Sequence, residues 1–139
     1  MQVLAHERVL TELDHVRLSS LLTRTTAAGL PHGVEEIAHE LLDSVTTVPT
    51  QVIDADVVTM RSRIRLALAD AQEMVVVLAY PPESDAATGQ ISVLSPLGLS
   101  LIGHRVAQAI RWQGPDQVVH EATLAEILYQ PEAAGDYGV

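Results

Sequence analysis

The chain has no cysteine, no phenylalanine and no lysine. Without cysteine there is no disulfide framework, no thiolate metal site and no cysteine nucleophile, and the composition fits a reducing compartment. Without phenylalanine, and with one tryptophan and three tyrosines in 139 residues, the core has to be built from Leu, Val, Ile and Ala. The eight basic residues, all Arg, face eighteen acidic ones, for a net charge of −10. Non-specific binding to a polyanion needs many phosphate contacts, so direct nucleic-acid binding is not expected as the main activity. A basic protein surface is the better electrostatic match. No apolar run approaches the roughly 18 residues of a membrane span, and MQVLAHERVL at the start shows no basic leader followed by an apolar stretch. A cytoplasmic protein with no membrane partner is expected. Gly-rich phosphate loops, nucleophile elbows and acid pairs with a supporting base are also missing, so no catalytic residue, cofactor, metal or small-molecule substrate is expected.

What is present is a change of hydrophobic period. Thr11 with Asp14 three residues on reads as a capping box with Asp in place of Glu or Gln, opening a helix over about 12–26. Its apolar residues Leu13, Val16, Leu18, Leu21 and Leu22 keep the helical period only roughly. Gly29-Leu30-Pro31-His32-Gly33 breaks it. Val34, Ile37, Ala38, Leu41, Leu42 and Val45 then follow the helical repeat cleanly. Two such helices joined by a short break predict an antiparallel hairpin. Around Pro49 a linker begins. Beyond it the period falls to 2. Ser62, Ile64, Leu66 and Leu68 alternate with Arg61, Arg63 and Arg65, which predicts a half-buried strand, edge or outer, with an Arg row on its open face. Met74 to Tyr80 reads as a fully apolar central strand, Arg105 to Trp112 as a further strand, and Val118 to Tyr129 as the last. The tail QPEAAGDYGV reads as irregular. The class is α+β: a short antiparallel helical hairpin over 1–48, then an antiparallel sheet holding one short helix over 49–139.

The densest local signal is ISVLSPLGLSLIG, Ile91 to Gly103. An extended run ends at Ser95, whose hydroxyl suits the free amides of a helix start. Pro96 takes the first helical position, where no amide donor is needed. Leu97, Leu101 and Ile102 form one apolar face, and Gly103 suits a left-handed stop. A helix of about two turns is not stable alone, so it must rest on the sheet, leaving the Ser-Pro turn as a rigid exposed corner.

Four segments in order, DVVTMRSRI (Asp56–Ile64), ISVLSPLGLSLIGHRV (Ile91–Val106), LYQPEAAGDY (Leu128–Tyr137) and AGLPHG (Ala28–Gly33), make the chain resemble the Rnk family, regulators of nucleoside diphosphate kinase related to the GreA/GreB factors. The resemblance implies that Asp56–Ile64 is the first sheet strand, that residues 49–139 form an FKBP-like domain and that residues 1–48 form a coiled-coil hairpin. It also implies a partner, RNA polymerase, met near its secondary channel through the β′ subunit. The docking corner it implies is Leu94, Ser95, Pro96 and Leu97. Gre cleavage factors carry a tip acid that helps hold a catalytic magnesium. Here the tip Gly29, Leu30, Pro31, His32, Gly33 has none, and the arms are short. The implied function is a non-enzymatic polymerase-binding regulator that competes with Gre factors without transcript cleavage. The alternative is an interaction protein acting on nucleoside diphosphate kinase through another partner. Prolyl isomerase activity is not expected, because four scattered aromatic residues cannot line an FKBP-type proline pocket. Where this family has Gly, Ala107 stands, and a positive φ there would strain it.

Each candidate has a plain structural reading beside the functional one. Ser95 and Pro96 cap a helix whether or not a partner reads them. Arg61, Arg63 and Arg65 form either an electrostatic patch or an ordinary strand face that blocks edge pairing. Glu35, Glu36 and His39 share a helix face but lack a third ligand nearby, which favours a solvated surface over a metal site. His32 at the tip reads as an exposed loop residue that a partner could meet.

Overall fold

A computed structural model describes residues 8–25, 33–114 and 117–137. The chain opens with β1 (Val9–Thr11) and α1 (Glu12–Thr25), then α2 (Val34–Ser44) and β2 (Thr46–Val48). Next come β3 (Arg63–Ala67), β4 (Glu73–Ala79), β5 (Gln90–Ser92), α3 (Pro96–Leu101), β6 (Ala109–Gln113) and β7 (Val119–Tyr129). Five strands form a sheet in the order β5-β4-β3-β7-β6. Its pairs are antiparallel except β4 with β5, which are parallel, so the sheet is mixed where a purely antiparallel one was expected. The parallel pair arises because the 3-10 turns at Pro81–Glu83 and Ala86–Thr88 carry the chain across before β5 begins.

Ile64 and Leu66 of β3, Val76 and Leu78 of β4, Ile110 of β6 and Leu124 of β7 are sealed on one sheet face. They belong to one apolar cluster with Leu99, Leu101 and Ile102 around α3, and with Leu10, Leu18, Leu22, Val34, Ala38 and Leu41 around the helix pair. Fully burying one such aliphatic side chain contributes about 1.5–3 kcal/mol, so this cluster outweighs any surface pairing. The rough periodicity of α1 is explained by Val16, which is 62% exposed while Leu18 and Leu22 are closed off. At one end of the pair the His15 ring Nε2 lies 3.1 Å from the Leu42 carbonyl oxygen. Below it β1 and β2 pair in parallel, Val9 with Thr46 through Thr11 with Val48, in a stretch expected to be linker.

Four strand readings are corrected. β3 is the central strand, not an edge or outer one, and it starts at Arg63 rather than within Asp56–Ile64. Upstream, Val57 makes an isolated bridge to Arg105 and the chain turns, with Ser62 N–H on the Thr59 carbonyl and Arg61 at φ +66°. Arg61 therefore does not belong to the strand row. β4 lies one place in from the edge and begins at Glu73, one residue before the expected start; its apolar residues are not all buried, Val75 being 48% exposed on the open face. β6 starts only at Ala109, because Ala107 sits at φ +81° in a turn. The tail is a turn rather than a strand or helix, but it is anchored. The Gln130 side chain, 4% exposed, donates from Nε2 to the carbonyls of Asp54 and Val57, both at 2.8 Å.

Candidate docking site

The Ser-Pro corner is built as the sequence implies. Ser95 Oγ accepts the Gly98 N–H at 3.0 Å and donates to the Ser92 carbonyl at 2.7 Å. The Leu99 N–H reaches the Ser95 carbonyl at 2.9 Å. The corner's close fit depends on Gly98. A Cβ built there would lie 2.0 Å from the Ser92 carbonyl oxygen and 2.8 Å from Val93 Cα, so no other residue fits without moving backbone. Gly103 follows α3 at φ +85°, in the left-handed region that glycine adopts freely. The Arg8 guanidinium sits at this carboxyl end of α3 and donates to the Leu99 carbonyl. Burial there pushes Arg8 down to about 10, since burial disfavours the charged form.

Only part of the expected corner faces outward. Leu94 and Leu97 are 5% and 8% exposed and belong to the core cluster. Ser95 and Pro96 are half-exposed. They stand at the mouth of a groove of about 390 Å³ lined also by Gln90, Ile91, Trp112 and Ser84, with no charged side chain among its lining residues. Trp112 is held there by stacking on His120, with ring centroids 5.5 Å apart. Sequence reasoning missed this groove because Trp112 lies on β6, outside the motif. Its only signal was that the chain's single tryptophan shares a strand face with Ile110.

Of the tip residues, Gly33 is described and takes φ +83° before α2; Gly29, Leu30, Pro31 and His32 lie outside the described residues. The Arg row is largely neutralised. Arg65 bonds Glu73 at 2.6 Å and Glu126 at 2.7 Å, and Arg61 bonds Glu83 from its Nε at 3.2 Å. Arg63 makes no ion pair among the described residues. On α2, His39 approaches Glu35 at 3.7 Å. Among the described residues no group of three or more His, Asp or Glu is placed to hold a metal ion, and no helix is long and apolar enough to cross a membrane.

The first half of the expected capping box is present: Thr11 Oγ1 accepts the Asp14 N–H at 2.9 Å, while the principal bond of the Asp14 carboxylate is made elsewhere. The carboxylate turns inward and its Oδ2 accepts the Met60 N–H at 3.1 Å, joining α1 to the turn before β3. Burial pushes this carboxyl up to about 6, and the charge of Glu132 adds to the shift; the Met60 amide, Arg17 and Thr11 oppose it.

Residues 53–129 match the family model described as "Transcription elongation factor, GreA/GreB, C-term", which defines the class of the sheet and its corner. The "Regulator of nucleoside diphosphate kinase" of Escherichia coli (strain K12) is 36% identical over 130 residues, covering 93% of this chain and 94% of that protein. The protein of the same name in Shigella flexneri matches to the same extent. The structure also resembles "Prokaryotic transcription elongation factor GreA/GreB from Nitrosomonas europaea", with a TM-score of 0.74, 28% identity, and coverage of 88% of this chain and 100% of that one. The chain belongs to the GreA/GreB C-terminal family, in its branch of regulators of nucleoside diphosphate kinase.

Proposed function

We propose that the protein is a non-enzymatic regulator that docks on RNA polymerase near its secondary channel, through the β′ subunit, and competes there with Gre factors. The observation that carries this reading is the Ser95-Pro96 corner, half-exposed and locked at both ends of α3, beside an uncharged groove. The fold likeness to an elongation factor supports polymerase as the partner. The reading includes an FKBP-like sheet domain over 49–139 and an antiparallel hairpin over 1–48 as its two working parts. The stretch 29–33 holds no carboxylate, and the described helices of 14 and 11 residues span ~17–21 Å. Both favour occupancy of the channel entrance without transcript cleavage. Ser95 and Pro96 make the contact, Leu94 and Leu97 hold the corner from beneath, and the 29–33 tip faces the channel. Arg63 is the member of the Arg row available to an acidic partner surface.

The test is retention of purified core polymerase by the immobilised chain. The wild type retains it, and the double variant Ser95→Asp, Pro96→Ala does not. Equal retention by both removes the docking reading. A second reading is favoured by the name of the relatives: the protein regulates nucleoside diphosphate kinase through a partner other than polymerase. Recovery of that kinase, with no polymerase, in the same experiment from lysate would select it.

A further inference from the structure

A carboxyl group is buried at the seam between α1 and the turn before β3. Asp14 is 3% exposed, and its Oδ2 accepts the Met60 N–H at 3.1 Å across that seam. The receiving turn is itself fixed from the far side. Ser62 Oγ accepts the Thr59 N–H at 2.9 Å, and the Thr59 hydroxyl donates to Glu132 Oε1 at 2.7 Å. The titratable and charged groups facing Asp14 are Arg17 on its own helix, Arg61 in the Met60 turn, Tyr80 after β4, and Glu132 of the C-terminal turn. An ionised Asp14 is desolvated and meets the charge of Glu132. A protonated Asp14 sheds both costs and still accepts the amide through its carbonyl oxygen.

We propose that Asp14 is a positioning residue for the helix pair: it pins α1 to the sheet, and its proton sets how firmly the pair is seated. The seat tightens on acidification and loosens as Asp14 ionises. The direction of the group's shift, upward to about 6, agrees with that sense. The functional weight of the pin rests on the docking reading, since it fixes where the helix pair points when the corner is engaged. The physical claim stands without it.

The experiment therefore uses the full chain alone. The absence of native cysteine lets spin labels be placed only at Glu36→Cys on α2 and Gln113→Cys on β6, both exposed. Label-to-label distances are measured at pH 8 and pH 5.5. The wild-type distribution narrows at pH 5.5, Asp14→Asn is narrow at both values, and Asp14→Ala is broad at both. In thermal melts Asp14→Asn exceeds the wild type at pH 8 by about 10 °C, and the difference narrows at pH 5.5. Wild-type distributions that superimpose at the two pH values overturn the proposal, as do melts in which wild type and Asp14→Asn shift in parallel. Failure here leaves polymerase retention untouched, and failure of retention leaves the pin untouched.

Discussion

Three residues sit where their side chains, or the lack of one, decide the local structure. Gly98 is the tightest: its missing Cβ would fall 2.0 Å from the Ser92 carbonyl oxygen. Gly98→Ala is expected to destabilise the fold by about 3 kcal/mol through overpacking, read as a fall in the urea midpoint. Ala107 is the reverse case, a residue with a Cβ held at φ +81°. Ala107→Gly relieves that strain and should raise stability by about 1 kcal/mol, measured in the same titration. The third is Asp14. Its folded pKa is raised, so the folded state holds the proton more tightly than the unfolded chain does. The stability this gives is complete below the unfolded value near 3.9 and is lost as pH rises through about 6. A rise of that size is equivalent to about 3 kcal/mol. The Ser95 cap and the Gly103 stop were legible in the sequence because each is a local backbone requirement, whereas the strain at Ala107 was legible only from the family resemblance, which places Gly there. The burial of Asp14 was not, because its acceptor role is to Met60, 46 residues away; in the sequence it reads only as part of a cap.

Among the elements, helices were legible and strand limits were not. The repeat of Val34, Ile37, Ala38, Leu41, Leu42 and Val45 predicts a buried face; Val34, Ala38 and Leu41 are the buried residues of α2, while Ile37 is 50% exposed. Alternation alone extended β3 and β6 too far upstream. Arg61 and Ala107 both carry alternating neighbours, yet both adopt positive φ in turns. The β1–β2 pair was invisible, since three-residue strands carry no period to read. The Arg row also depended on partners remote in sequence: Glu73 on β4 and Glu126 on β7 reach Arg65 only once the strands register. Such exposed pairs contribute little each. The anchored tail belongs to this scale as well. Gln130 supplies two carbonyls of the 54–57 segment with donors and, through Oε1, accepts the Ala133 N–H at 3.1 Å. Gln130→Ala removes the side-chain donor from the buried Val57 carbonyl. It should cost about 2 kcal/mol and speed amide exchange in the C-terminal turn, seen by hydrogen exchange.

In the whole molecule, one core joins the helix pair, α3 and the sheet, while the outward corner remains small: two half-exposed residues at the edge of an uncharged groove. The net charge of −10 favours a basic partner segment at that edge, and association should weaken as salt rises. The α+β class was readable from the change of hydrophobic period along the chain, and the corner from one motif. The groove was not, because Trp112 joins it through sheet topology. The central claim is that this corner docks on RNA polymerase, and one measurement tests it most directly: binding of purified core polymerase to the wild-type chain and to Ser95→Asp, Pro96→Ala, with a Gre factor added as competitor. Saturable wild-type binding, displaced by the Gre factor and lost in a variant that still melts cooperatively, is the predicted result. No wild-type binding, or equal binding by a folded double variant, would contradict it.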